Sequence, residues 1–369
     1  MKETGRRTQE AGDKTVLVAM SGGVDSSVAA AVLLEQGYKV FGVTMLLWPE
    51  DVPGAEEGCC GTIHLNDARE VCQRLGIAHY TMDLQKEFLH NVVHPFIKTY
   101  LEGRTPNPCI SCNENLKFHH LLRKARGVGA DMLATGHYAR ITGKRVFHLV
   151  RGVDASKDQT YFLFTLGQDE LSRLMFPLGQ MKKEQVRKKA KALGLRVHAK
   201  AESQETCFVP PGGLRDFISE NAANLPGPGE IVDLGGNVIG SHDGACFYTV
   251  GQRKGLGLAS DRPLYVVKID AASNTVVMGS LDAASFKGLK ADGVTWVAGS
   301  QPGPEFSAGV QIRHRHKPAP SLITVHVNGA ITVEFEEPQH GVAPGQAVVI
   351  YDGEIVLGGG WIIRAIVQE

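Results

Sequence analysis

The chain has no excess of charge of either sign. Its 369 residues include 39 lysines and arginines and 39 aspartates and glutamates, so the formal net charge at pH 7 is zero. Overall charge therefore does not draw this protein to nucleic acid or to a membrane surface. Any RNA-binding site must come from local clusters of basic residues.

Long apolar runs are missing as well. No stretch of the sequence approaches the roughly 20 apolar residues of a membrane span. Residues 1–14 are polar and lack the hydrophobic core of an export signal. We therefore expect a cytoplasmic protein with a flexible N-terminal tail and no membrane partner.

Cysteine is scarce, with seven residues in the chain. That number does not suggest a disulfide scaffold in a protein of this length. In a cytosolic protein such cysteines more often serve catalysis or metal binding, or lie buried as small hydrophobic residues. Glycine is abundant, with 43 residues, and much of it lies after residue 210, which predicts turn-rich β structure in the second half.

A glycine loop, Ser21–Ser26 (SGGVDS), is the most informative motif. It lies between an apolar strand at Thr15–Met20 and a helix at Val28–Leu34. The glycines let the backbone approach a phosphate, and the acid and hydroxyls can cap the helix, whose N-terminus favours negative charge. The loop lacks the Gly-Lys-Ser/Thr ending of a Walker loop, so a kinase or GTPase is not expected.

Strands and helices alternate up to about residue 140. This pattern predicts a parallel sheet with helices on both faces and ligands at the carboxyl ends of its strands. The further elements we predict are strands at Tyr38–Leu47, Ile77–Leu84 and Asp131–Thr135 and helices at Asn66–Leu75, Leu116–Ala125 and Lys182–Leu193.

The amino-acid composition changes near residue 210, where prolines and glycines cluster. Residues 211–280 look like a small turn-rich module. From residue 281 apolar and polar residues alternate, as in Ile331–Glu336, and Asn328-Gly329 and Asp352-Gly353 are hairpin signals. We predict three domains, 15–210, 211–280 and 281–369, the last of them an antiparallel barrel.

Two cysteine motifs stand out. Cys109 and Cys112 lie in a proline-stiffened loop, Thr105–Asn113, with a helix after it. Their spacing alone fits a redox pair, half of a zinc site or two packed thiols. Cys207 follows in Ser203–Phe208 (SQETCF), a motif that is weak when taken alone.

Basic and aromatic clusters supply candidate RNA contacts. Lys157–Phe162 could hold a nucleotide or a flipped base, or be a capped amphipathic segment. Gly240–Leu258 could be an RNA loop or a cluster of β-turns. In the helix Lys182–Leu193 the apolar stripe is Val186, Ala190 and Leu193, and we expect the cations Lys182, Lys183, Arg187, Lys188 and Lys191 to lie largely off it. Together with Arg313–Lys317, these cations could bind phosphates.

Seven ordered motifs resemble those of the tRNA-uridine 2-sulfurtransferases, or tRNA-specific 2-thiouridylases, from about Thr15 to Ile366. The glycine loop is similar to the pyrophosphatase loop of enzymes that split ATP to AMP and pyrophosphate. The motifs are Ser21–Ser26, Asn107–Asn113 with Lys117-Phe118, Ala134–Arg140, Lys157–Phe162, Ser203–Phe208, Tyr248–Leu256 and Pro344–Gly360. The resemblance implies an α/β fold: a Rossmann-like ATP-binding domain of the adenine nucleotide α-hydrolase type, a small central domain and a C-terminal antiparallel β-barrel.

The implied reaction is ATP-dependent 2-thiolation of the wobble uridine, U34, in the anticodon arm of tRNA. ATP, with Mg²⁺, would adenylate the uracil C2 oxygen and make it a leaving group. By resemblance Cys207 carries sulfur as a persulfide, received from a cysteine desulfurase or a sulfur-relay protein. Cys112 would complete the transfer and leave a Cys112–Cys207 disulfide.

The resemblance also implies three further sets of site residues. ATP would be bound by Ala19, Met20, Ser21, Gly22, Gly23, Val24, Asp25, Ser26, Met45 and Gly136. The target base would meet Asn107, Pro108 and Cys109. Contacts to tRNA would come from His137, Lys157, Asp158, Gln159, Arg313, His314 and Gln346.

Cys109 departs from the pattern, because many family members have an acid/base Asp there. A thiol, with a usual pKa of about 8.5 against about 3.9 for Asp, is a poor replacement base. Cys109, Cys112 and Cys207 could instead ligate an iron–sulfur cluster, which we do not favour.

Rival functions are another AMP-forming loop enzyme, of the tRNA lysidine synthetase or amidotransferase type, and an inactive tRNA-binding protein. Cys59-Cys60 has no assigned role.

Overall fold

A computed structural model describes residues 14–48, 62–200, 206–210, 213–258 and 260–367. The expectations for the N-terminal tail up to residue 13, for Cys59-Cys60 and for Ser203–Glu205 lie outside the described residues. The chain forms two compact units, Met1–Val92 with Cys109–Pro211, and Val93–Pro108 with Gly212–Glu369.

A five-stranded parallel sheet forms the centre of the first unit. The strands of this unit are β1 (Thr15–Ala19), β2 (Lys39–Leu46), β3 (His79–Asp83), β4 (Met132–Ala134), β5 (Ala139–Thr142), β6 (His148–Arg151) and β7 (Leu174–Met175). The sheet order is β3-β2-β1-β4-β7, and β5 and β6, which are not part of this sheet, pair with each other as an antiparallel hairpin. The order reverses direction between β1 and β4, and crevices at such a point are where open α/β sheets bind ligands.

Helices of the first unit cover this sheet, and the second unit has helices of its own. The α-helices are α1 (Val24–Glu35), α2 (Thr62–Leu75), α3 (Gln85–Phe88), α4 (His94–Leu101), α5 (Pro108–Ser111), α6 (Leu122–Gly127), α7 (Gln168–Leu171), α8 (Lys183–Ala192) and α9 (Leu214–Asn221). Leu89–Val93 and Cys112–Leu121 are π-helical. The segment that we predicted as a helix from Leu116 therefore begins earlier, at Pro108, and its central part is wound as a π-helix.

Burial explains why α1 forms. Its residues are apolar almost all round, and Val28, Ala29, Ala30 and Leu33 are fully buried, as expected for a helix inside a sheet-and-helix core. The chain leaves the helix through Gly37, whose φ of 89° suits glycine. Buried side chains of β1 and α8 complete the same core.

One sequence expectation about α8 is wrong. Lys183 does not lie off the apolar stripe but is buried, with 9% of its surface exposed. Lys183, Val186 and Ala190 are spaced i, i+3 and i+7, which puts all three on one face of a helix. The cation is therefore carried into the interior of the first unit.

The second unit contains a small mixed sheet and a closed barrel. Its strands are β8 (Gly229–Val232), β9 (Val238–His242), β10 (Tyr265–Asp270), β11 (Thr275–Gly279), β12 (Ser285–Trp296), β13 (Glu305–Gln311), β14 (Ala319–Val325), β15 (Ile331–His340), β16 (Ala347–Asp352) and β17 (Ile355–Ile366). The small sheet has the order β10-β11-β8-β9. Strands β12-β15-β14-β13-β16-β17 are antiparallel, and pairing of β12 with β17 closes them into the barrel that the sequence predicted.

The segment Val93–Pro108 joins the second unit, although we had placed it in the domain 15–210. Phe96 on α4 packs against Phe217 with ring centroids 6.3 Å apart. The amide of Thr105 donates to the carbonyl of Pro344 at 2.8 Å. These long-range contacts leave no local signal in the sequence. No helix in the described part of the chain is both long and apolar enough to cross a membrane.

Candidate active site

The glycine loop at the end of β1 is shaped by its own hydroxyls. Gly22 has φ of 68°, and a side chain there would overlap the carbonyl oxygen of His64. The hydroxyls of Ser26 and Ser27 donate to the carbonyl of Gly23 at 3.2 and 2.8 Å. We expected side-chain caps on α1, but the N-cap is Gly23, which offers no side-chain acceptor. The first amides of α1 are thus suited to an anion.

The turn after β4 approaches this loop closely. A side chain at Gly136 would place its Cβ only 2.8 Å from the amide nitrogen of Ser26 and from the carbonyl carbon of Asp25. Only glycine fits such a contact without movement of the backbone. The two loops that sequence reasoning placed at strand ends therefore meet at the point where the strand order reverses.

Asp25 is held by partners from two other parts of the first unit. The ammonium of Lys183 lies 2.9 and 2.8 Å from the two carboxylate oxygens of Asp25. The hydroxyl of Tyr138 donates to Asp25 Oδ1 at 2.8 Å. The backbone amide of Lys183 in turn donates to Asp154 at 2.9 Å. Sequence reasoning missed Lys183 and Tyr138 as site residues; the i, i+3, i+7 spacing of Lys183 was the available signal.

The predicted adenosine neighbour Met45 lies at the carboxyl end of β2. Ala19 pairs with Val43, so Met45 is two residues beyond the end of that pairing and is buried. Met20 extends the contact, because its amide donates to the carbonyl of Val43 at 2.8 Å. The hydroxyl of Thr44 donates to the carbonyl of Met20 at 2.9 Å. This edge of the site is therefore fixed by main-chain bonds.

His137 is a buried, neutral side chain. Its Nδ1 lies 2.6 Å from the hydroxyl of Thr135, and its ring lies near those of Phe118 and Phe176, with centroids 5.9 and 6.0 Å away. Burial, with a smaller contribution from the charge of Lys117, holds the pKa of His137 well below its usual value. Any contact that this imidazole makes with tRNA at neutral pH is therefore not a cation–phosphate contact.

The cysteine loop leads into the π-helical segment. Cys109 on α5 is exposed and Cys112 is partly buried. Asn113 follows Cys112, donates to the carbonyl of Phe162 at 3.1 Å and accepts from Lys117 at 2.9 Å. These bonds fix the turn that carries Cys112, and Phe118 on the same segment reaches the His137 turn after β4.

The segment Lys157–Gln159 makes bonds that hold the first unit together. Asp158 is buried and pairs with Arg151 at 2.8 Å, and its carboxylate also accepts from the hydroxyl of Thr160 at 2.8 Å. Gln159 accepts from the backbone amide of Tyr138 at 3.0 Å. Contacts of these residues with tRNA stay a prediction.

Cys207 lies in a tight turn. The amide of Val209 donates to the carbonyl of Thr206 at 3.0 Å, which makes Cys207 and Phe208 the central residues of the turn. The ring of Phe208 contacts Trp48, which follows β2, and Phe88, at the end of the helix that follows β3. The Cys207 turn is thereby attached at the carboxyl edge of the sheet.

Candidate base and tRNA contacts of the second unit lie on the loop before Asn107 and on the barrel. Gln346 donates to the carbonyls of Thr105 and Pro106 at 3.2 and 3.0 Å, which holds the loop that leads to Asn107 and the buried Pro108. Arg313 donates to the carbonyl of His340 at 2.7 Å, and His314 is exposed. Their roles in binding stay predictions.

The structure bears on two expectations about positive charge, the lysines of α8 and a metal site. On α8, Lys188 pairs with Glu184 and Lys189 with Glu35, both at 2.6 Å, so part of the charge of this helix is neutralised within the first unit. Among the residues that the structure describes, no three His, Cys, Asp or Glu side chains form a group that could hold a metal ion. Iron–sulfur ligation by Cys109, Cys112 and Cys207 stays an alternative that we do not favour.

Family models match three consecutive parts of the chain. Residues 14–211 match the model described as "tRNA methyl transferase HUP domain". Residues 215–280 match a "tRNA methyl transferase PRC-barrel domain", and residues 286–362 an "Aminomethyltransferase beta-barrel domain".

Curated relatives match nearly the whole chain. The chain is 48% identical over 362 residues to a tRNA-specific 2-thiouridylase MnmA of Geobacter metallireducens, covering 96% of this chain and 98% of the relative. It is 49% identical over 361 residues to the protein of the same name from Heliobacterium modesticaldum, covering 95% and 93%.

Solved structures resemble the chain only distantly. A 4-thiouridine synthetase–RNA complex with bound ATP aligns with a TM-score of 0.37 and 18% identity, covering 53% of this chain and 45% of that one. The U34-tRNA thiolase NcsA of Methanococcus maripaludis, with its [4Fe-4S] cluster, aligns with a TM-score of 0.34 and 20% identity, covering 59% and 70%. Scores this low support no conclusion about the present chain.

The buried His137 predicts a pH dependence of stability. Because its pKa is lowered in the folded state, below pH 6.5 the unfolded chain binds a proton that the folded chain does not, and stability falls as the pH falls. His137→Gln should flatten the loss of unfolding free energy between pH 6.5 and 5 by up to about 1.4 kcal/mol per pH unit. Urea denaturation at several pH values measures this; equal slopes for both proteins would contradict it.

Proposed function

The chain belongs to the tRNA-specific 2-thiouridylase family, and from this premise we propose that it thiolates the wobble uridine, U34, of tRNA at C2 in an ATP-dependent reaction. It is an enzyme, a tRNA sulfurtransferase. The observation that carries this proposal for the chain itself is that the glycine loop, the Cys112 segment and the Cys207 turn are attached at the carboxyl ends of strands of one sheet.

ATP binds at the loop between β1 and α1 in this proposal. The amides at the start of α1 and the ammonium of Lys183 face phosphate charge in this proposal, and Gly22 and Gly136 allow the close backbone contacts that shape the loop, Gly22 with His64 and Gly136 with Asp25 and Ser26. Both carboxylate oxygens of Asp25 already accept bonds from Lys183, and one also from Tyr138. We therefore propose that Mg²⁺ is bound by the phosphates of ATP rather than by Asp25, and that it offsets their charge. Met45 and Gly136 flank the adenosine.

Adenylation solves the main chemical difficulty, because an oxygen on uracil C2 is a poor leaving group. The C2 oxygen attacks the α-phosphorus of ATP and releases pyrophosphate, while the N3 proton is lost. Cys109 stands where many family members have an aspartate, and a thiol is a weak base at neutral pH. We assign the removal of this proton to another group or to water.

Sulfur transfer then uses the two partly buried thiols. The terminal sulfur of a Cys207 persulfide attacks C2, and AMP leaves with the C2 oxygen. The thiolate of Cys112 attacks the Sγ of Cys207; the S–S bond breaks and its electron pair stays on the sulfur bound to C2. The products are 2-thiouridine and a Cys112–Cys207 disulfide, which a thiol reductant reopens. An iron–sulfur cluster has no place in these steps.

The partners follow from this chemistry. The anticodon arm of tRNA supplies the uridine, which must leave its stack to reach the thiols. Asn107, Pro108 and Cys109 line the base, and the tRNA is held by His137, Lys157, Asp158, Gln159, Arg313, His314 and Gln346. A cysteine desulfurase or sulfur-relay protein supplies the persulfide. Because the disulfide must be reopened in each cycle, we place the enzyme in the reducing cytoplasm.

Removing the cation at Asp25 should block adenylation. Lys183→Met leaves the carboxylate of Asp25 without its ion-pair partner and removes a positive charge from beside the glycine loop. We expect tRNA-dependent pyrophosphate release to fall by about 10²-fold, the usual loss when one preorganised electrostatic donor is removed. Single-turnover assays of pyrophosphate release at saturating tRNA measure this.

Lys144→Met is the matched control, because Lys144 is exposed on the β5–β6 turn of the same unit. The double variant Asp25→Asn/Lys183→Met should regain part of the lost thermal stability, since it leaves no unpaired charge, but not the activity. Full pyrophosphate release by Lys183→Met would show that this ion pair has only a structural role.

The proposed sulfur transfer by Cys207 and Cys112, here called the cysteine relay, predicts that thiolation can be lost without loss of substrate binding. Cys112→Ser and Cys207→Ser should each reduce 2-thiouridine to background while ATP and tRNA binding are retained, as measured by nucleoside mass spectrometry and by binding titrations. Cys72→Ala is the control: burial raises the pKa of the Cys72 thiol to about 12, so it is not a nucleophile at neutral pH. Thiolation by either serine variant at the wild-type rate would overturn the relay.

A further inference from the structure

Cys207 and Phe208 are neighbours on one short turn. They are the central residues of the turn closed by the bond from Val209 N to Thr206 O at 3.0 Å. The φ and ψ angles of its two central residues define the shape of such a turn. A backbone movement at one central residue therefore displaces the other. Whatever holds Phe208 in place therefore also holds the backbone from which the thiol of Cys207 projects.

Phe208 is fixed by two aromatic side chains. Its ring is stacked on Trp48, with an interplanar angle of 22° and centroids 6.3 Å apart. It meets Phe88 edge-on, with centroids 5.4 Å apart, and Trp48 and Phe88 touch each other at 5.9 Å. Phe88 is 2% exposed, so the cluster in which each ring contacts the other two is anchored on a buried side chain.

The chain leading to this turn has a second attachment. Arg187 on α8 donates to the carbonyls of His198 and Lys200 at 2.8 and 3.3 Å. The ammonium of Lys200 pairs with Asp67 on α2 at 2.5 Å. Lys200, which precedes Cys207 in the chain, is thus attached to helices of the unit, and Phe208 is attached to the aromatic cluster.

We propose that Trp48, Phe88 and Phe208 form an aromatic clip that positions Cys207 for sulfur transfer. The clip acts through Phe208 on the turn, so these are positioning residues, and the three rings do not take part in the chemistry. The inference rests on the proposed function, in which Cys207 carries the persulfide. It predicts that adenylation, which takes place at the glycine loop, does not depend on the clip.

A variant of the clip should therefore uncouple the two half-reactions. Phe208→Leu keeps an apolar side chain but loses both ring contacts, so the turn is no longer held in one position. With enzyme persulfidated beforehand, we expect the single-turnover rate of 2-thiouridine formation to fall between 10- and 10²-fold, the cost typical of a misplaced reacting group. The tRNA-dependent burst of pyrophosphate should stay within about twofold of wild type.

Matched variants distinguish a loss of Cys207 positioning from a general loss of folding. Phe41 and Tyr80 make an edge-on pair at 5.9 Å in the same unit, and Phe41→Leu should leave both half-reactions unchanged. Phe208→Tyr should recover most of the thiolation. Trp48→Leu should reproduce the defect of Phe208→Leu, and the double variant should be no worse than the poorer single one, because the two rings act as one unit.

A measurement independent of the reaction completes the test. Alkylation of Cys207 by a maleimide, followed by mass spectrometry of the peptide, should be at least several-fold faster in Phe208→Leu than in wild type. If wild type makes no 2-thiouridine, the proposed function fails, and the alkylation rates alone decide on the clip. Unchanged alkylation, or equal losses of pyrophosphate burst and thiolation, would overturn the clip.

Discussion

The ion pair between Lys183 and Asp25 is the contact on which the site of the first unit depends. It joins the loop after β1 to α8, and the hydroxyl of Tyr138 adds the turn after β4. The Lys183 side chain is only 11% exposed and that of Asp25 32%. Loss of either partner leaves a poorly solvated charge beside the start of α1, which is costly. The pair therefore keeps the glycine loop in one conformation and a cation beside the predicted phosphate site.

The remaining groups are arranged around this fixed point by strand order. The loops after β1 and β4 meet at Gly136, the Cys112 segment reaches the β4 turn through Phe118, and the Cys207 turn reaches the ends of β2 and β3 through Phe208. Under the proposed function, a glycine loop that serves adenylation and separately attached thiols that serve sulfur transfer suit a reaction in two steps. The energy of each step then depends on different contacts.

The parallel sheet, the glycine loop and the barrel could be predicted because their signals are local. Glycine and hydroxyl spacing defines the Ser21–Ser26 turn, and two-residue alternation defines β15. The role of Lys183 could not be read in the same way, since its partner Asp25 is far away in sequence. The capping bonds expected at α1 were replaced by bonds to the Gly23 carbonyl, and Val93–Pro108 joined the second unit through long-range contacts with Phe217 and Pro344.

The path of one oxygen atom most directly tests the central claim, that the uracil C2 oxygen is activated by adenylation. A tRNA anticodon stem–loop carrying ¹⁸O at C2 of the wobble uridine can be thiolated by persulfidated enzyme with unlabelled ATP, and the products analysed by mass spectrometry. The account predicts that each 2-thiouridine formed is matched by one AMP that carries ¹⁸O in its phosphate. Label found in water or pyrophosphate, with unlabelled AMP, would contradict it.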